Sequence, residues 1–181
     1  MALINIPTSG LWSSIASILN SNFSFLRNIT GWAFYEDSQY TSGSPFVVNQ
    51  GVIANLPNNK LLTAIETQLP NDATTFYDGS VITPVTNGDK YTISIRFKCT
   101  STSNTGAYAL KIDIGGSQGI IANASQQLAR SGVENFIEVD FTVFTGATFV
   151  ANGGTVKFES IVGNTSIYDI SYLISREHKA R

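Results

Sequence analysis

Gly88-Asp89-Lys90-Tyr91-Thr92-Ile93-Ser94-Ile95-Arg96-Phe97-Lys98-Cys99-Thr100 is the stretch whose reading decides the fold. Tyr91, Ile93, Ile95, Phe97 and Cys99 alternate with Thr92, Ser94, Arg96, Lys98 and Thr100, and a period of two sends the two sets to opposite sides of a β-strand. Asn87-Gly88-Asp89 supplies the turn that starts it. One side is apolar and needs cover from other strands; the other, with Arg96 and Lys98, is wet.

Downstream the same pattern recurs. Tyr108, Leu110, Ile112 and Ile114 alternate with Ala109, Lys111 and Asp113, and Gly115-Gly116-Ser117-Gln118-Gly119 then turns the chain into Ile120-Ile121-Ala122. A polar stretch from Asn123 to Gly132 carries no clear period. Phe136–Phe144 and Thr155–Glu159 read as strands with Ile137, Val139, Phe141, Val143, Val156 and Phe158 inward. In Ile167–Ile174, strict alternation puts Tyr168, Ile170, Tyr172 and Ile174 on one face and Ile167 and Leu173 on the other. A strand apolar on both faces needs cover on both, so Ile167, Tyr168, Ile170, Tyr172 and Ile174 are the expected oligomer interface.

Upstream, Trp32–Tyr35, Phe46–Val48, Val52–Leu56 and Leu61–Ile65 read as short strands, and Phe76–Ile82 as an edge element stopped by Pro84. Residues 1–30 differ. Leu11, Ile15, Ile18, Leu19 and Leu26 recur at helical spacing behind Thr8 and Ser9, either of which can cap a helix over about residues 10–26. Trp12, Phe23 and Phe25 widen the apolar surface of this arm, and its one charged residue is Arg27. The chain divides into an arm, 1–30, and a body, 31–181. The arm is expected to dock on a neighbouring protein through Leu11, Trp12, Ile15, Ile18, Leu19, Phe23 and Leu26.

Many short strands, separated by Gly, Asn, Pro and Ser turns and without strand–helix alternation, predict an all-β fold: an antiparallel two-sheet sandwich of the jelly-roll kind. A length of 181 residues suits one such domain with a short appendage. Charged residues make up only 13%, against about a quarter in an average protein. Much of the surface is therefore polar without charge, which suits contact with other subunits. A net charge of −2 argues against general nucleic-acid binding, and no apolar run is long enough to span a bilayer. Met1–Pro7 lacks the basic start of a secretory signal.

Chemistry finds little footing. The one histidine, His178, sits near the C-terminus in Arg176-Glu177-His178-Lys179-Ala180-Arg181, which reads as a solvated tail. The one cysteine, Cys99, falls on an apolar strand face. Neither a nucleophilic triad nor a zinc cluster can be assembled from these. Glu36, Asp37, Asp72, Asp78, Glu138 and Asp140 are the candidates for a glycosidase-like acid/base pair, but Glu138 and Asp140 fall on the wet face of a strand, where acids ordinarily sit. Gly115–Gly119 lacks the spacing of a phosphate cradle. The expectation is no catalysis, no metal and no cofactor.

Ile6-Pro7-Thr8-Ser9-Gly10-Leu11-Trp12, followed by Asn20-Ser21-Asn22-Phe23, resembles the N-terminal attachment segments of tailed-phage virion proteins. The body resembles the small jelly-roll modules, similar to the tumour-necrosis-factor fold, of phage capsid decoration proteins and fibres. Asp37–Tyr40, Phe76–Gly79, Ile82–Pro84, Gly88–Tyr91, Phe149–Gly154 and Tyr172–Arg176 carry that likeness. It implies a homotrimeric, non-enzymatic cement protein on the phage head, with the major capsid protein as partner. A fibre or receptor-binding protein, attached to tail or fibre subunits and reading a host glycan, is the alternative. A carbohydrate-binding module or hydrolase is a third reading; its mark is an exposed aromatic platform, to which Tyr35, Tyr40 or Tyr77 could contribute.

Overall fold

The alternating stretch forms β5, Lys90–Ser101, near the middle of a six-stranded sheet in a computed structural model that describes residues 12–27 and 29–180. A helix, α1, Trp12–Arg27, comes first. Strands β1, Gly31–Glu36, β2, Phe46–Val48, β3, Ile53–Asn55, and β4, Thr63–Ile65, follow, with β5 after a long loop. Then come β6, Ala107–Asp113, β7, Ile120–Gln127, β8, Asn135–Phe144, the short helix α2, Ala147–Asn152, β9, Thr155–Val162, and β10, Thr165–His178. One sheet runs β4-β1-β10-β5-β8, with β2 also paired to β10, and the other runs β3-β9-β6-β7. Every named pairing is antiparallel. The chain crosses between sheets after β2, β3, β5, β7, β8 and β9, which gives a jelly-roll sandwich.

The inward faces meet as the periods predict. In the six-stranded sheet, Ala33, Ile174, Ile93 and Phe141 form one cross-strand row, and Tyr35, Tyr172, Ile95 and Val139 the next. Phe97 bridges to the second sheet. Its ring stands edge-on to Tyr108 and Phe158, with centroids at 5.9 and 5.7 Å, and those two stack on each other at 5.3 Å. Such edge-on and stacked pairs add about 0.5–1.5 kcal/mol each beyond the area they bury. Cys99 lies in this core, where burial pushes its thiol up to about 12.

β10 departs from strict alternation, and this corrects the two-faced reading. Asp169 has φ +52°, and the register against β5 shifts between Tyr168 and Ser171. This β-bulge inserts a residue and reverses the phase, so Ile167 on one side of it and Ile170, Tyr172 and Ile174 on the other all point into the core. These four side chains fill the protomer's own interior and are not available to an oligomer interface. Tyr168 lies nearly covered on the outer face, its hydroxyl donating to Glu134 Oε2 at 2.6 Å. That bond is the main cause that pushes its phenol up to about 12.

Three other expectations are corrected. The polar stretch after Ala122 continues as β7 to Gln127, because an edge strand can leave most of its side chains in water. Phe76–Ile82 is a loop closed by a single Tyr77–Ile82 bridge, whose Phe76, Tyr77 and Ile82 are core residues. Arg176 and Lys179 do not belong to a solvated tail. Arg176, whose side chain has no exposure, continues the inward face of β10 and donates to Asp72 Oδ1 at 2.7 Å and Asp89 Oδ2 at 3.3 Å. Lys179 Nζ also reaches Asp72, at 2.7 Å, and the Ala180 N–H donates to Asp89 Oδ1 at 2.9 Å. Nearby, the Trp32 N–H donates to Gln68 O at 3.1 Å, and a Cβ on Gly31 would lie 2.5 Å from Pro70 Cδ. The loop carrying Asp72 therefore fastens both the C-terminus and the start of β1.

This network sets an acid limit on stability. Burial alone would raise the Asp72 carboxyl, but hydrogen bonds and attraction from Arg176 and Lys179 outweigh it and hold the group below the usual carboxylate range. A depressed folded-state value means that the stabilisation is complete above the ordinary carboxylate pKa of about 4 and is lost as pH falls through the lower folded value. Urea titrations from pH 7 downward should show stability falling first in that window, and less steeply in Asp72→Asn. Arg176→Met, which strands the buried Asp89 carboxylate, should cost about 3–5 kcal/mol at pH 7 by the same measurement.

Candidate functional site

The outer faces of the two sheets differ in chemistry. On the four-stranded sheet, Lys111 pairs with Glu159 and Lys157 with Asp113, among Asn55, Asn123 and Ser125, as a solvated face should. On the six-stranded sheet, Trp32, Phe34, Ile65 and Leu173 lie close together on adjacent strands near the end where α1 leads into β1. The free edge strand β8 adds Phe136 and Phe144, 66% and 70% exposed, in outward positions among the acids of that strand. The charges between these flanks are mutually neutralised. Arg96 donates to Glu138 through Nε at 2.9 Å and Nη2 at 2.7 Å, Lys98 meets Asp169 at 3.0 Å, and Lys90 meets Glu177 at 2.8 Å.

At the end of this face away from α1 lies a groove of about 500 Å³, lined by Phe34, Leu62, Arg96, Lys98, Phe136 and Asp169 with the 36–41 loop. Period two delivers the outward faces of β1, β5 and β8 to its floor, so Phe34, Arg96 and Lys98 need no special local geometry. The bulge provides the rest. It turns the Asp169 carboxylate outward onto Lys98, whose ammonium is held protonated above its usual range by the hydrogen bond and charge of Asp169. The Asp169 N–H donates to Tyr40 O at 3.1 Å, and the Asp37 N–H to Ile170 O at 2.9 Å, so the loop wall is hydrogen-bonded to the bulge itself. The Asp37 carboxylate then accepts the N–H groups of Gln39, Tyr40 and Asn59 at 2.7–2.9 Å. The groove is prebuilt.

Of the candidate acids, Glu36 and Asp37 line this groove and Glu138 adjoins it through Arg96, while Asp72, Asp78 and Asp140 lie elsewhere. Asp37 organises this loop, Asp72 holds Arg176, Asp78 accepts the N–H groups of Ser80 and Val81, Glu138 pairs with Arg96, and Asp140 lies on the exposed face of β8. Of Tyr35, Tyr40 and Tyr77, the tyrosines that could contribute to an aromatic platform, only Tyr40 reaches the groove. Tyr35 and Tyr77 are core residues, their rings 5.6 Å apart, and Tyr40 packs on Phe46. Of the arm residues, Leu11 lies outside the described residues, as do the side chains of Trp12 and Leu26. Ile15 and Ile18 are half-buried, and Leu19 and Phe23 are exposed, Phe23 by 60%. Phe34, Leu62 and Phe136 went unread as site residues. Phe136 had a signal: with Ile137, Val139, Phe141 and Val143 inward, it is a phenyl ring on the wet face.

No family model and no curated protein sequence matches the chain. Solved structures do match its fold, which is that of the TNF-like jelly roll. Eiger TNF from S. frugiperda superposes on 85% of this chain and 96% of its own, with a TM-score of 0.54 and 10% identity. The PRD1 vertex protein P5 covers 84% of this chain and 74% of its own, with a TM-score of 0.50 and 10% identity.

The bulge gives a test of how the groove is held. A β-branched side chain at φ +52° is sterically strained, so Asp169→Val should lower unfolding free energy by about 1–2 kcal/mol. Asp169→Gly removes both the strain and a solvent-exposed ion pair of little net worth, and should stay close to the parent in chemical denaturation.

Proposed function

We propose that this protein is a non-enzymatic virion structural protein of a tailed phage: a trimeric decoration protein on the head surface, whose N-terminal arm binds the major capsid protein. One observation carries this reading. Among the described residues the sandwich closes its hydrophobic core between Ala33 and Ile174 without α1, while Leu19 and Phe23 of that nearly uncharged helix remain exposed. A helix of Ser, Asn and apolar residues gains little in water alone, and an apolar stripe left open marks a contact site. Leu11, Trp12, Ile15, Ile18, Leu19, Phe23 and Leu26 are the residues for that contact. The PRD1 vertex protein shares the fold, so a sandwich of this kind is compatible with a virion.

Self-association passes to the outer face of the six-stranded sheet, now that most of the residues first assigned to it lie in the core. The cluster of Trp32, Ile65 and Leu173 is apolar, and the Lys90–Glu177 ion pair lies between it and Phe144 on the β8 edge. Two different patches on one face favour a head-to-tail contact that closes into a ring. A fibre or receptor-binding role is the second reading, favoured by the groove at the end of the face away from the arm.

Removing residues 1–28 should leave the denaturation midpoint of the sandwich unchanged and abolish co-sedimentation with capsids that lack the protein. Retained co-sedimentation contradicts arm attachment. Light scattering of the full chain should give a trimer, and Trp32→Ser combined with Phe144→Ser should shift it to monomer; a stable monomer of the parent chain at micromolar concentration contradicts self-association.

A further inference from the structure

The groove beside the Asp169 bulge has a composition that selects its ligand. Phe34 and Phe136 give it phenyl walls, and the space of about 500 Å³ falls within the range of small-ligand sites, roughly 300–1,000 Å³. Its polar inventory is mixed: Arg96 and Lys98 donate, Asp169 and Glu36 accept, and Ser171 does both. Both cations already face a carboxylate, Arg96 at 2.7 Å from Glu138 and Lys98 at 3.0 Å from Asp169. An anionic ligand would meet no uncompensated positive charge and would lie close to Glu36 and Asp169, so charge disfavours it. A purely apolar ligand would desolvate the ion pairs without replacing their water.

Three features indicate binding rather than mere surface relief. Phe136, two-thirds exposed at a strand edge, holds a large apolar ring in water at the groove's rim. Asp169 holds a backbone conformation that most side chains avoid, at the point that shapes the groove, and such strain persists where the surroundings enforce it. The wall loop is fixed by the Asp37 carboxylate and by hydrogen bonds to the bulge, so little ordering remains to oppose a ligand.

We infer that this groove binds a neutral saccharide. A pyranose ring has a face of C–H groups, which suits a phenyl wall, and an edge of hydroxyls that both donate and accept, which suits mixed and charge-balanced side chains. Arg96 can donate to ring hydroxyls and Asp169 can accept from them while both keep their ion pairs. The inference deepens the second reading above. It rests on the arm reading only for orientation: a module fastened by α1 presents this groove away from the attachment surface.

The test uses the full chain and neutral gluco-, manno-, galacto- and xylo-hexaoses, with a heparin-derived hexasaccharide as the acidic probe and an uncharged Ser/Phe hexapeptide as the peptide probe, each by isothermal titration calorimetry. At least one neutral sugar should bind saturably. Phe136→Ala and Arg96→Gln should each weaken it by about tenfold. Ile120→Ala, an exposed apolar residue of the four-stranded sheet outside the groove, should leave it unchanged, and circular dichroism of each variant checks that the fold is intact. Failure of every neutral sugar to bind, binding of the acidic or peptide probe alone, or equal loss in Ile120→Ala overturns the inference. Capsid co-sedimentation of the Phe136→Ala and Arg96→Gln chains reads arm attachment separately and should match the parent.

Discussion

β10 has hydrogen-bonded neighbours along both edges, β1 and β2 on one side and β5 on the other, so it cannot move without unpairing the six-stranded sheet. Its side chains must supply the core along the whole height of the sandwich. An uninterrupted alternation would satisfy one half of the strand and bury the wrong residues in the other. The bulge at Asp169 resolves this by inserting one residue at the change of phase, so that Ile167 joins Ile170, Tyr172 and Ile174 inside. The same insertion throws Asp169 outward onto Lys98 and hydrogen-bonds Tyr40. A requirement of core packing thus shapes the outer surface, and the groove exists where it does because the strand had to change phase there.

This explains what could be read from residues alone. β5, β6 and β8 keep one phase from end to end and β9 does so as far as Ser160, and their inward sets were legible as alternation. The bulge was not, because an aspartate at positive φ leaves no pattern; it leaves only an apparent strand with two apolar faces. β7 was hidden for a different reason. It lies at a sheet edge where only Ala122 and Ala124 pack against the core, so its sequence is almost wholly polar after Ile121. α2 carries a single buried side chain, Phe149, too few for a period. Arg176 read as part of a basic tail because its partners, Asp72 and Asp89, lie far away in sequence and meet it only once the strands align.

The two ends of the six-stranded sheet carry different physics. Where α1 leads into β1, Arg176, Asp72, Asp89 and Lys179 tie the last residues of the chain to the loop that receives Trp32. A load applied through the arm at β1 meets charge-assisted bonds of low exposure, besides the ladder of β1 and β10. At the other end the polar groups are arranged for access: Arg96, Lys98, Glu138 and Asp169 are paired but partly solvated, with phenyl rings beside them. Buried pairing confers rigidity, and solvated pairing leaves hydrogen-bonding capacity.

The low charge of the chain fits this division. Eight of its eleven basic residues stand in ion pairs within the sandwich, so few cations are left to carry a long-range field. Without such a field, association depends on shape and apolar contact at short range, and repulsion between identical copies is small. That is the electrostatic condition for many copies to sit side by side on one surface. On the proposed reading, recognition falls on the uncharged groups that remain open among the described residues: the apolar side chains of α1, the cluster around Trp32 and the phenyl rims of the groove.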